Sequence, residues 1–285
     1  MRKKVFSFLS IFLLSIVFLG SCNKENEIFL LDEVQEVAIT TEELNEEVVL
    51  DAIFEDILNE ILEDDFFKST GCPVKTVETP EDDRFPRIVT KDYGDGCETE
   101  NGAFHSGILV ITYESDPKLA GAVRTVDFYD YERRGIVING RKVIKFVGIT
   151  EEGYMHYSVN GNLNLIKPNG VEVKRIKHKE RYKIAGIDTP EKEDDEWLIE
   201  GRVKVSKSTG THYLMKIVGP LHRVKSCDHL VAGSKLITIY QSAEDLDDEN
   251  ENQYGTIFID FGDGTCDNIA MKSVNDAEAE EFILN

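Results

Sequence analysis

The sequence predicts a mainly β protein: an antiparallel meander, either one long twisted sheet or a β-sandwich, preceded by an acidic N-terminal amphipathic helix. Three observations predict it. From Cys72 onward apolar residues recur with period two between short turn signals, the pattern of antiparallel strands. A phrase is written twice, Asp92-Tyr93-Gly94-Asp95-Gly96-Cys97 and Asp260-Phe261-Gly262-Asp263-Gly264-Thr265-Cys266, each time after a strand-like run (87–90 and 256–259) and after one further cysteine, Cys72 or Cys227. Between Ile28 and Phe67, by contrast, no basic residue occurs and the apolar residues fall at helical spacing.

The chain begins with the strongest signal in it. Arg2, Lys3 and Lys4 precede an almost unbroken apolar stretch from Val5 to Leu19, and Leu19-Gly20-Ser21-Cys22 matches a bacterial lipobox. The stretch is short for a membrane-spanning helix and sits where signal peptides sit. Residues 1–21 therefore read as a lipoprotein signal peptide. The Cys22 thiol is the acceptor of the lipid, and acyl chains rather than a spanning helix anchor the mature chain. Asn23-Lys24-Glu25-Asn26-Glu27 resembles the Lys-plus-acidic surface-export signals of Bacteroidota lipoproteins, which points to the outer membrane, on its periplasmic or cell-surface face.

Residues 22–70 then read as a tether and a helix. Thr40 and Glu43 have the spacing of a capping box. Leu50, Ile53, Phe54, Ile57, Leu58, Ile61 and Leu62 form one stripe, and Glu46, Glu47, Asp51, Glu55, Asp56, Glu60, Glu63 and Asp64 crowd the other side. The stripe is expected to dock on the β domain as a lid; the alternative is a helix that pairs with a partner or reports on tethering.

Residues 71–285 read as a β domain stapled by disulfides, with two related halves, 71–150 and 151–285, suggested by the two copies of the phrase. An exported chain sits where disulfides persist. Cys22 apart, four cysteines allow three pairings; Cys72–Cys97 and Cys227–Cys266 pair within each repeated unit and are expected. Each closes a loop that would stabilise by roughly 3–4 kcal/mol. Asp-Gly is a hairpin signal because type I′ turns need positive φ, so each phrase predicts a tight turn whose flanking Asp bonds the turn backbone. The sharper reading is Ca²⁺ held by Asp92, Asp95, Asp260 and Asp263, since clustered carboxylates suit a hard cation; turn chemistry is favoured because so few carboxylates are too few ligands. The second copy also resembles the turn of PKD-type immunoglobulin-like modules over six residues, with Ile259 where a Trp is usual. Further hairpin turns are predicted at Asn139-Gly140, Asn160-Gly161 and Asn169-Gly170, and loops at 188–196 and 244–252.

Several stretches together resemble a family of uncharacterised lipoproteins abundant in Bacteroidota. They are Cys72-Pro73-Val74, Asp92 to Cys97, 107–113, 137–140, 161–163, Pro168-Asn169-Gly170, Pro220-Leu221, 223–227 and 260–268. The resemblance covers Cys72 to the end and implies no activity and no functional residues.

Composition narrows the function. The net charge is −22, and loss of residues 1–21 removes three basic residues and no acid, leaving −25. So acidic a chain lacks the basic footprint of a nucleic-acid binder, and it is expected to be a monomer. No Gly-x-Ser-x-Gly, His-Glu-x-x-His or phosphate-binding glycine loop occurs. The six histidines (His105, His156, His178, His212, His222, His229) read as solvent-face strand residues. The basic run 174–183 reads as an exposed positive face, able to meet anionic head groups or an acidic glycan, or else to balance the acidic helix. Tyr113, Phe128, Tyr129, Tyr131, Tyr154 and Tyr157 could stack on sugars. The expectation is a non-catalytic binding, adhesion or structural lipoprotein, with a glycan or an envelope protein as its partner. The alternatives are a glycan-binding accessory of a surface uptake system and, last, a carboxylate-based hydrolase.

Overall fold

Thr40 and Glu43 start the helix as their spacing predicts. The Thr40 amide donates to Glu43 Oε2 (3.0 Å) and the Glu43 amide donates to Thr40 Oγ1 (3.2 Å), which satisfies two amides that helix geometry leaves without partners. Helix α1 runs Thr41–Leu62. The computed structural model describes residues 39–62, 69–80, 84–99, 102–189, 191–247 and 252–284. Cys22, the signal peptide and the tether lie outside these residues.

The rest is one antiparallel sheet. Its strands are β1 (Val74–Glu78), β2 (Arg87–Asp92), β3 (Cys97–Glu98), β4 (Phe104–Tyr113), β5 (Val123–Arg133), β6 (Ile136–Ile149) and β7 (Met155–Ile166). They continue as β8 (Glu172–Ala185), β9 (Glu196–Lys207), β10 (His212–Val224), β11 (Leu230–Tyr240), β12 (Gln253–Asp263), β13 (Ile269–Val274) and β14 (Glu280–Ile283). Each strand pairs with the next in sequence from β4 to β14; β1 pairs β2, while β2 and β3 both pair β4. The meander is thus a single long sheet rather than a sandwich, with β1 and β14 at its two ends.

The sheet curls around the helix. Contacts to α1 come from β4 at one side and from β13 at the other, through Tyr113 and Lys272. Laid flat, those ten strands would extend about 43 Å at ~4.8 Å per strand. The helix cannot reach them by crossing the sheet, because it runs along β8: Arg175 meets Glu47 and, further along both, Arg181 meets Glu55. Only a strongly curved sheet brings β4 and β13 to one helix. Accordingly, no helix residue from Glu43 to Leu62 is exposed. The expected docking of the apolar stripe is present, with Leu50, Ile53, Phe54, Ile57, Leu58 and Ile61 all buried. The helix is the filling of a trough and not a lid, so its acidic side is covered as well.

Two predicted turns are mid-strand positions. Asn139-Gly140 lies within β6, opposite Asn164 and Leu163, and Asn160-Gly161 lies within β7, opposite His178 and Lys177. Gly140 has φ +118°, and a Cβ there would stand 2.3 Å from the Asn162 carbonyl oxygen. The glycine serves close strand approach in a bent sheet, a demand that turn statistics do not anticipate. Asn169-Gly170 does lie in the β7–β8 turn.

Neither copy of the repeated phrase is a hairpin: each interrupts a strand that continues along the same neighbour, and the first does so with the expected tight turn, the Gly96 amide donating to the Tyr93 carbonyl (3.1 Å). β2 and β3 lie on the same side of β4, and the Tyr93 amide still bonds the Gly107 carbonyl between them (2.9 Å). β12 likewise runs on along β11 through Asp260 to Asp263. Positive φ falls on Gly94, Gly96, Gly262 and Gly264, not on Asp95 or Asp263, so the type I′ requirement is not met. The Asp chemistry is as expected: Asp92 Oδ1 accepts from the Gly94 amide (2.8 Å) and Asp260 Oδ1 from the Gly262 amide (3.0 Å). The disulfides are Cys72–Cys97 and Cys227–Cys266.

Candidate functional site

The interior of the trough is built from charge. Along β8 the side chains of Arg175, Lys177, Lys179 and Arg181 alternate inward and are buried, while Ile176 is 43% exposed on the outer face. The predicted exposed basic face is therefore an interior face, and it does balance the acidic helix, as the other part of that expectation had it. What turns it inward is the acidic helix: burying cations requires counter-charges and hydrogen bonds, and α1 supplies them in register. Lys207 of β9 reaches Glu43 (2.7 Å), Arg175 pairs with Glu47, and Lys167 pairs with Glu46. Lys235 of β11 and Lys179 reach Asp51 (2.6 and 3.4 Å), Arg181 reaches Glu55 (2.9 Å), and Arg133 of β5 reaches Glu60 (2.7 Å) and Asp56 (3.5 Å). Tyr213 OH donates to Glu47 (2.5 Å). At the other end, Arg124 and Tyr113 donate to the Ile61 carbonyl (3.3 and 3.4 Å), placing a cation at a helix C-terminus that has no basic residue of its own.

The electrostatics follow from this crowding. Burial opposes ionisation of Asp51, but Lys179, Lys235 and Arg175 overcome it and hold its carboxyl far below the usual range. Burial likewise pushes Glu55 up, and Arg181, Lys179 and Lys177 more than reverse it, to about 2. Lys142 of β6 is fully buried over the rings of Phe54 and Phe128, and burial lowers its ammonium to about 8. Lys177, also over Phe54, lies well below its ordinary value because of burial and then of its neighbours Lys142 and Lys179. The carboxylates of Asp51 and Glu55 are held ionised, whereas a glycosidase acid must hold its proton near neutral pH. Their arrangement is that of a structural network.

Two cavities flank the helix. One, about 610 Å³, lies at its C-terminal end between β4, β5, β6 and β7. The rings of Tyr113, Phe146 and Tyr157 and the side chain of Met155 wall it, and Arg124 and Lys118 bring positive charge to it. Phe146 and Tyr157 stand 5.1 Å apart, tilted. The other, about 390 Å³, lies between α1 and strands β9 to β12.

The residues singled out in the sequence are dispersed. Asp92 and Asp260 serve their own bulges, Asp95 is exposed, and Asp263 Oδ1 bonds the Thr265 amide (3.2 Å) and hydroxyl (2.9 Å). Among the described residues no three His, Cys, Asp or Glu come together in a metal-holding group. His105 is not on a solvent face: it is 2% exposed and 2.9 Å from Tyr131 OH, which β-strand alternation next to Tyr93 explains. Of the aromatics, Tyr113, Phe128, Tyr131 and Tyr157 are buried. Among the described residues the exposed aromatics, Phe104, Tyr129 and Phe258, sit on β4, β5 and β12 and do not form a row. The inward cations Lys142, Lys207, Lys235 and Lys272 escaped sequence reading. A signal existed: each occupies the apolar register of its strand, as Lys207 does after Val203 and Val205 and Lys235 before Ile237 and Ile239.

No family model matches the chain, and neither a curated protein nor a solved structure is found to match it. What the fold and site define is a class of architecture: a curled antiparallel meander filled by its own N-terminal helix.

Proposed function

We propose that the protein is a non-catalytic binding module of the bacterial cell envelope, held at the outer membrane by acyl chains on Cys22. The observation that supports a binding role is the cavity of about 610 Å³ at the end of α1. An apolar wall with a few convergent polar groups is the usual form of a small-molecule site. Here the wall is aromatic and the polar groups are cationic, which suits an acidic sugar: ring C–H faces against Tyr113, Phe146 and Tyr157, and a carboxylate toward Lys118 and Arg124.

The test is calorimetric titration of residues 22–285 carrying Cys22→Ser with a short galacturonate oligomer and with its neutral galactose counterpart. The acidic oligomer binds and the neutral one binds at least tenfold more weakly. Lys118→Glu, at an exposed position, weakens the acidic oligomer about tenfold, the scale of one charged hydrogen bond. Equal binding of both oligomers, or none, refutes the acidic-sugar reading. The anchoring reading is tested separately: Cys22→Ser releases the full chain from the membrane fraction.

A further inference from the structure

The second cavity combines an apolar floor with charge that the ion-pair network leaves unused. It lies on the inner face where β10 turns into β11. Ala52 and Val48 of α1, Leu221, Leu230 and Phe261 line it. Arg223 stands among them, two residues after Leu221 on the same face of β10, with Leu230 and Trp197 as its neighbours across the ladder. Its Nε is buried without a hydrogen-bond partner.

The surroundings explain why Arg223 has no carboxylate to itself: Glu55, on which its charge acts, is shared. Arg181, 0% exposed, stacks over Trp197 at 4.2 Å and approaches Glu55 at 2.9 Å, yet its Nε and Nη1 also bond nothing. Glu55 in addition faces Lys179 at 3.8 Å. Lys177 and Lys142 add further positive charge on the Phe54 side. One carboxylate thus serves several cations. Lys179 and Lys235 also line the cavity but are paired with Asp51, whereas Arg223 lines it with its Nε unpartnered.

We propose that this cavity binds a small anionic amphiphile: one carboxylate held by the Arg223 guanidinium, with an apolar body on Leu221, Leu230 and Phe261. A guanidinium fork matches a carboxylate. A single charge is favoured over a doubly charged phosphate, because Asp51, Glu55, Asp56 and Asp228 also line the cavity. The volume of 390 Å³ holds roughly a dozen non-hydrogen atoms, taking ~30 Å³ for each as for liquid water. The body is therefore short, of medium-chain length. The site is separate from the aromatic cavity and does not depend on its ligand.

The experiment is titration of residues 22–285 carrying Cys22→Ser with sodium octanoate, and in parallel with octan-1-ol. Octanoate binds, and octanol binds at least tenfold more weakly. Arg223→Ala weakens octanoate at least tenfold and leaves octanol unchanged. Leu230→Trp, which fills the floor and keeps the charge, abolishes both. Where Arg223→Ala lowers the thermal midpoint, Arg223→Gln carries the same comparison. Absence of octanoate binding, equal binding of octanoate and octanol, or full octanoate binding by the Arg223 variants overturns the proposal.

Discussion

Lys235 Nζ of β11 lies 2.6 Å from Asp51 Oδ2 of the helix, and the same carboxylate is shared with Lys179 and Arg175 of β8. Asp51 thus ties two non-adjacent strands to the helix and neutralises cations that have little other solvation. Removing it leaves those cations buried without their counter-charge. Asp51→Asn is expected to cost about 3–5 kcal/mol, the scale of breaking a buried pair from one side. Asp56→Asn, at a half-buried residue whose partner Arg133 retains Glu60, costs under about 1 kcal/mol. Urea denaturation of the two variants side by side checks this; similar midpoints would show that the network is not a stabilising unit.

The same network makes the fold acid-sensitive. Glu55 has its folded pKa lowered from 4.5 to about 2, and Asp51 is lowered further still. A carboxylate with a depressed folded pKa contributes stability that is present above its unfolded pKa and is lost as pH falls through the folded one. For Glu55 the window is therefore pH 4.5 down to about 2, and the loss is about 3 kcal/mol. Thermal midpoints should fall steeply below pH 4.5 in the parent and less steeply in Glu55→Gln, which starts lower at pH 7.

How much of this was legible in the sequence depended on whether the informative contact was local. The capping box at Thr40 and Glu43, the helical stripe and the strand alternation around Trp197, Ile199, Val203 and Val205 are local patterns, and they read correctly. The basic strand read correctly only in part: that it balances the acidic helix was legible, that it faces inward was not. In β8 both alternating sets carry charge, Lys174 and His178 on one face and Arg175, Lys177, Lys179 and Arg181 on the other, so alternation does not say which face is inside. The deciding partner, Glu47 to Glu55, lies more than a hundred residues earlier. Gly140 and Gly161 misled for a related reason: Asn-Gly is a local turn signal, but curvature around a helix is a demand of the whole sheet.

Lys142 tests whether every interior charge is stabilising. Its pKa is lowered from 10.5 to about 8, chiefly by burial. Between those values the unfolded chain binds a proton that the folded chain does not, so stability rises with pH across pH 8–10.5, by about 3 kcal/mol for this group. At pH 7 the folded protein carries the ammonium at that cost. Lys142→Met keeps the stem packed on Phe54 and Phe128 and removes the charge. It is expected to be at least as stable as the parent at pH 7 and to show a smaller alkaline rise. Guanidinium unfolding at pH 7 and pH 10 decides it; a loss of 2 kcal/mol at pH 7 would mean that the ammonium is needed where it is.

Sheet curvature can be tested at one atom. Gly201 in β9 has φ +124°, and a Cβ there would stand 2.2 Å from the His178 carbonyl oxygen of β8. Gly170 also has positive φ (+80°) but lies in a turn with nothing within 4 Å. Gly170→Ala carries only the backbone strain, on the order of 1 kcal/mol. Gly201→Ala adds a clash with a ladder carbonyl that no side-chain rotation relieves, and is expected to cost about 3 kcal/mol or more. Equal thermal midpoints for the two variants would show that β8 and β9 can separate cheaply, against a tightly curled sheet.

The disulfides pin the two bulges rather than the two ends of the fold, so reduction should act on the bulged strands first. Cys227 and Cys266 are 39 residues apart and Cys72 and Cys97 are 25 apart, which on loop entropy gives roughly 3–4 kcal/mol for each. The surroundings differ. Cys227 is buried, close to the cavity that Arg223 lines, whereas Cys72 and Cys97 lie near the end of the sheet formed by β1 and are half-buried. Paired Cys→Ser replacement is expected to lower stability at both sites. Hydrogen exchange should increase along β2 and β3 in the Cys72/Cys97 variant, and along the 225–232 and 260–270 segments in the Cys227/Cys266 variant, while β6 to β9 stay protected. Loss of protection across β6 to β9 in either variant would mean that the bulges nucleate the whole sheet, and that the helix-filled centre does not stand without them.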